Sequence, residues 1–81
     1  MTPAELAAKL RGFARTAAKA DDDAIEEVLV KGAQTIDRHG SPEVIAATVI
    51  LVRADLVRAA EEHEKNASQL RAWAREIGED P

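Results

Sequence analysis

An unbroken heptad pattern runs through the second half of this chain, from Pro42 to Ile77. Apolar or adaptable side chains recur at alternating steps of four and three residues, at Ile45, Val49, Val52, Leu56, Ala59, His63, Asn66, Leu70, Trp73 and Ile77. We call this set the seam. Such spacing places side chains on one face of an α-helix that packs against another helix. The seam predicts one continuous helix over residues 42–77, about 54 Å long.

A break in this long helix is the alternative. Asn66 and Gln69 have the spacing of a helix cap and its reciprocal amide, so the chain could turn back near Asn66 and form a short fourth helix over residues 67–77. No glycine or proline enforces a break, and Asn66 keeps the register of the seam. The continuous helix is therefore the favoured prediction.

Two shorter amphipathic helices are predicted before the long one. Thr2 and Glu5 have capping-box spacing at the start of a helix over residues 3–19, and Asp23 and Glu26 have it before a helix over residues 24–38. Gly40 is placed where a helix can end in a left-handed residue. The apolar positions of both helices recur at helical spacing, at Leu6, Leu10, Phe13, Ala14, Ala17, Ile25, Val28, Leu29, Gly32, Ala33 and Ile36. We predict a single all-α domain over residues 1–81, a small bundle of three helices or, with the break, four.

The first half of the long helix is apolar on the seam and on other faces as well. Ile50, Leu51, Ala54 and Val57 lie on its reverse faces, which predicts a central helix contacted on several sides. The chain has 81 residues and no cysteine, so association with another chain is the common remaining way to stabilise so small a core. We predict a homodimer formed through the seam, with His63 and Asn66 as a polar layer that sets its register.

Charge is distributed unevenly along the chain. The net charge is −4, yet residues 1–20 carry +3 and the remainder therefore carries −7. The acids form two clusters that we take as the candidate partner-binding surface, Asp21, Asp22, Asp23, Glu26 and Glu27 in the first and Glu61, Glu62 and Glu64 in the second. Basic side chains form a stripe on the first helix, at Arg11, Arg15 and Lys19. A solvated surface is the ordinary explanation of both features.

Chemistry-bearing motifs are missing from the sequence. His39 and His63 are the only imidazoles, and neither has a second ligand at helical spacing, so no metal site is expected. Asp55 is expected to pair with Arg58 rather than to act as a general acid or base. The four glycines are scattered and form no phosphate-binding loop. We expect no enzymatic activity, cofactor or small-molecule substrate.

The expected setting is the cytoplasm. The N-terminal residues lack the basic leader and apolar run of a signal peptide. The most apolar stretch, residues 44–52, is followed by Arg53 and Asp55 and is far shorter than the roughly 20 residues that span a bilayer. We therefore expect no membrane partner.

These features favour a non-enzymatic helical protein that binds another protein, of basic character, as an adaptor or inhibitor. An acidic surface on a small chain can occlude a basic nucleic-acid groove, as anti-CRISPR-type inhibitors do; the likeness is one of physical class, without a motif match. One alternative is a dimeric nucleic-acid-binding regulator that uses Arg11, Arg15 and Lys19. The net negative charge of the chain disfavours nucleic acid as a partner. The other is a structural assembly subunit.

Overall fold

The computed structural model describes residues 2–78 and contains four α-helices in that range. They are α1 (Pro3–Lys19), α2 (Asp23–Arg38), α3 (Pro42–Glu62) and α4 (Ala67–Gly78), with one 3-10 turn (Glu64–Asn66) before α4. No strand occurs among the described residues. The predicted all-α class is confirmed.

Side-chain caps start the first three helices. Thr2 and Glu5 form the predicted capping box, with the Glu5 N–H donating to Thr2 Oγ1 at 3.1 Å and the Thr2 N–H donating to Glu5 Oε1 at 3.2 Å. Ser41 Oγ accepts from the backbone N–H of Val44 at 3.4 Å. The cap of α2 is Asp22 rather than the predicted Asp23, so this helix begins one residue earlier than expected.

The turn between α1 and α2 is a Schellman motif. The Asp22 N–H donates to the Ala17 carbonyl at 2.9 Å, and the Asp21 N–H donates to the Ala18 carbonyl at 3.1 Å. Asp21 holds the left-handed position of this motif, with φ of 58°. The sequence also predicted a left-handed residue at Gly40, after the end of α2. That prediction is wrong, because no described glycine has a positive φ.

The long helix breaks, so the favoured prediction of a continuous helix over residues 42–77 is wrong. Helix α3 ends at Glu62, His63 caps it, and α4 begins at Ala67, as the four-helix alternative requires. The longest dimension of the Cα trace is 34 Å, well short of the 54 Å of a continuous helix. The residues between Ala60 and Ala67 include no apolar side chain, so a turn there removes no apolar side chain from the core.

The seam lies inside one chain instead of between two. Leu56 is fully buried, and most of the other apolar seam residues are buried too, namely Val52, Leu70, Trp73 and Ile77. Ile45, Val49 and Ala59 pack against the same core as half-buried side chains. The turn exposes His63 and leaves Asn66 half-buried, so the predicted polar layer is not formed. A dimer interface along the whole seam would require the core to open.

Both short helices contribute the faces that the sequence predicts. Leu10 and Leu29 are almost completely buried, together with the other core residues of α1 and α2, Leu6, Ala7, Ala14, Ala17, Ile25, Ala33 and Ile36. Gly32 lies where α2 meets α3, because a Cβ built on it would be 2.9 Å from Val52 Cγ2. Two helical hairpins, α1 with α2 and α3 with α4, thus share one core.

Candidate protein-binding surfaces

Two contacts between α1 and α4 define the direction of the helices. Phe13 stacks on Trp73 with ring centroids 4.9 Å apart, and Lys9 Nζ lies 3.9 Å from Glu76 Oε1. The earlier residue of α1 thus meets the later residue of α4, so these two helices are antiparallel. Because α3 and α4 form a hairpin joined by a short turn, α1 and α3 run in the same direction.

The two acidic clusters therefore lie at the same end of the bundle. The first follows the C-terminus of α1, and the second surrounds the C-terminus of α3. We call this region the acidic end, and it comprises Asp21, Asp22, Asp23, Glu26, Glu27, Glu61, Glu62 and Glu64. Residues 19–27 and 61–65 carry these eight acids and two bases, Lys19 and Lys65, for a net charge of −6. The rest of the chain consequently carries +2.

Some of these acids also have local structural contacts. Asp22 Oδ1 accepts from the Ile25 N–H at 3.4 Å and caps α2. Glu27 Oε1 lies 2.8 Å from Lys31 Nζ, and this hydrogen bond and charge lower the pKa of Glu27 and raise the pKa of Lys31. The side chains of the second cluster are all exposed. An incoming partner could therefore reach the acids of α3 without breaking a contact of the fold.

The basic stripe is partly neutralised by the fold. Arg11 forms an ion pair with Asp37 of α2, and its side chain is only half exposed. Arg15 and Lys19 are exposed. Sequence spacing could not reveal the pairing of Arg11, because Asp37 is 26 residues away along the chain. Two exposed cations provide few phosphate contacts, since nucleic-acid affinity grows with the number of phosphates neutralised.

An apolar surface lies on the outer face of α3. Ile50 is 66% exposed and Leu51 is 67% exposed, and Val57 is 36% exposed. A shallow groove along this face is lined by Ile50, Arg53, Ala54, Val57, Arg58 and Glu61. The sequence predicted that α3 would be contacted on several sides, and within one chain its outer face is uncovered. Packing against α2 and α4 covers only the opposite face of α3.

The other ionisable side chains that the sequence singled out are His39, His63 and Asp55. No group of three or more His, Asp or Glu side chains in this range could hold a metal ion. His39 and His63 cap the C-termini of α2 and α3 and are exposed. Asp55 pairs with Arg58 at 3.8 Å, as the sequence predicts. Within the described range, no helix has both the length and the apolar character needed to cross a bilayer.

Comparisons with models of protein families, with curated proteins and with solved structures found no match to this chain. A small helical bundle does not by itself indicate a function, because the same architecture carries many unrelated activities. The charge and polarity of the described surfaces are therefore the features of this chain that bear on its function.

Proposed function

We propose that this protein is a non-enzymatic adaptor or inhibitor that binds a basic protein through its acidic end. The observation that carries the proposal is the position of the two acidic clusters at the C-terminal ends of α1 and α3, which share one end of the bundle. Clustered charge of one sign raises the rate of encounter with an oppositely charged surface. A basic nucleic-acid groove on a cytoplasmic protein or complex is a suitable target, and the protein would occlude it.

The homodimer is part of the proposal. Two copies would present the acidic end twice and strengthen its field, which salt screens over about 8 Å at physiological strength. Nucleic-acid binding through Arg11, Arg15 and Lys19 is the weaker alternative, because the ion pair with Asp37 occupies Arg11. A structural assembly subunit is the other alternative, and it predicts association beyond a dimer.

Affinity capture with charge-reversed variants tests the acidic end. One variant combines Glu61→Lys, Glu62→Lys and Glu64→Lys, and a second combines Asp23→Lys with Glu26→Lys and keeps the cap at Asp22. Glu43→Lys is the matched control, because Glu43 is exposed in the first turn of α3, far from the acidic end. Each bait is immobilised with wild type in parallel, and captured proteins are identified by mass.

We expect wild type and Glu43→Lys to capture the same basic protein, with less recovered as salt is raised. At least one acidic-end variant should lose that protein while its circular dichroism remains helical. Equal capture by both folded variants would reject the acidic end as the binding surface. Salt-sensitive recovery of nucleic acid that depends on Arg15 and Lys19 would select the alternative instead.

A further inference from the structure

The outer face of α3 carries an apolar strip that no part of residues 2–78 covers. We define the α3 strip as Ala46, Ala47, Ile50, Leu51, Ala54 and Val57, all of which are exposed. Because the inner face of α3 is also apolar, residues 44–52 of this helix are hydrophobic on nearly every side, and such segments are normally enclosed. An exposed apolar patch bordered by polar side chains is typical of a contact with another protein.

The charges beside the strip indicate which protein fits it. Arg53, Arg58 and Glu61 line the groove along the strip, and Asp55 pairs with Arg58, so the charges beside the strip are of both signs. A contact between identical subunits brings the same patch together with itself, and a rim of one sign would repel its copy. The acidic end, at −6, is of that repelling kind. The α3 strip is not of that kind, because its rim carries charges of both signs.

The side chains of the strip suit a helix-on-helix contact. Ala47, Ile50, Ala54 and Val57 recur at steps of three, four and three residues, which is the spacing of a line of contact between two helices. The small side chains of Ala47 and Ala54 permit close approach of the backbones, and Ile50 and Val57 provide apolar area between them. The strip thus has the repeat, the polarity and the mixed charge that suit a contact between two copies of α3.

We propose that the α3 strip is the interface between two copies of this chain, with the two α3 helices packed against each other. This deepens the homodimer of the proposed function by naming its surface, and it replaces the seam, whose apolar residues are already buried within one chain. The interface includes Glu61, which lines the groove, and leaves the other seven acids of the acidic end outside the strip. Binding of a basic partner through those seven acids does not require the interface, and the variant of Asp23 and Glu26 tests that binding without changing the strip or its rim.

Sedimentation velocity over a range of about 5 to 500 µM, which brackets micromolar affinities, tests the interface. Wild type should approach twice the chain mass of 8.7 kDa as concentration rises. Leu51→Glu places a charge on the strip, beside Ile50 of the line of contact, and should raise the dissociation constant at least about tenfold. Gln69→Glu adds the same charge at an exposed position of α4 and should sediment as wild type does.

Circular dichroism of each variant checks that the fold is intact, which is expected because Leu51 and Gln69 are both exposed. Ile50→Lys is a second strip variant of opposite charge and should also dissociate the dimer. A wild type that stays monomeric throughout the range overturns the proposal and assigns the strip to a different protein. A dimer that survives both strip variants overturns it as well and places the interface elsewhere.

Discussion

At the scale of single residues, Asp21 holds the only left-handed backbone conformation among residues 2–78. A residue with a Cβ is disfavoured in that conformation, although Asp tolerates it better than most. We predict that Asp21→Gly raises the free energy of unfolding by about 0.5 kcal/mol and that Asp21→Ala lowers it by about the same amount. Urea unfolding followed by circular dichroism measures both changes.

The charge of Asp21 needs a separate control, because this residue lies in the acidic end. Asp21→Asn removes the charge and keeps a side chain that tolerates the left-handed conformation. If the gain of Asp21→Gly comes from backbone conformation, Asp21→Asn should stay close to wild type. An equal gain in Asp21→Asn would instead attribute the effect to relief of charge repulsion.

At the scale of helices, the start of α1 should make stability depend on pH. Hydrogen bonds from the backbone N–H and then the side chain of Thr2 hold the pKa of Glu5 below its ordinary value of 4.5. A carboxylate with a lowered pKa in the folded state stabilises the fold when ionised, so its contribution is present above pH 4.5 and is lost as pH falls through the lowered pKa. The melting temperature of wild type should therefore exceed that of Glu5→Gln at pH 7.

This advantage over Glu5→Gln should shrink as the pH is lowered below 4.5. Taking the difference between the two proteins at each pH cancels the titration of the other carboxylates. A difference that stays constant between pH 7 and pH 3 would contradict the capping role of the Glu5 carboxylate.

Thr2→Ala should lower the free energy of unfolding by about 1 kcal/mol at neutral pH, because it leaves the Glu5 N–H without its side-chain acceptor.

At the scale of the whole molecule, two glycines in similar helical positions should respond to alanine in opposite ways. A Cβ on Gly12 would meet nothing within 4 Å, so Gly12→Ala should raise the free energy of unfolding by about 0.5–1 kcal/mol through helix propensity. A Cβ on Gly32 would lie 2.9 Å from Val52 Cγ2, on a stiff β-branched side chain. Gly32→Ala should lower the free energy of unfolding by about 1 kcal/mol, because overpacking between α2 and α3 outweighs the gain in propensity.

Chemical unfolding of both variants measures these opposite changes. In a double-mutant cycle, Gly32→Ala should lower the free energy of unfolding less in a Val52→Ala background than in wild type, since the two side chains then no longer collide. Similar gains for both alanine variants would show that α2 and α3 separate easily. In that case the close approach at Gly32 would not constrain how the two hairpins pack.

Local sequence signals determined most of the helices of this protein. Thr2, Ser41 and the apolar spacing of each segment predicted the all-α fold and the buried faces, because caps and helical periodicity act over a few residues. They did not decide between a continuous helix and a hairpin. Leu56 and Leu70 satisfy the same heptad spacing in either case, since a heptad specifies which face of a helix is apolar and not which helix covers it.

Tertiary structure decided what covers each face. Turning at His63 lets Trp73 stack on Phe13 and bury the seam within one chain, whereas a continuous helix would carry Trp73 beyond the reach of α1. The same turn leaves the α3 strip exposed and brings the acids around Glu61 to the end of the bundle that holds Asp21. These placements depend on contacts between residues tens of positions apart, and such contacts leave no periodic signal in the sequence.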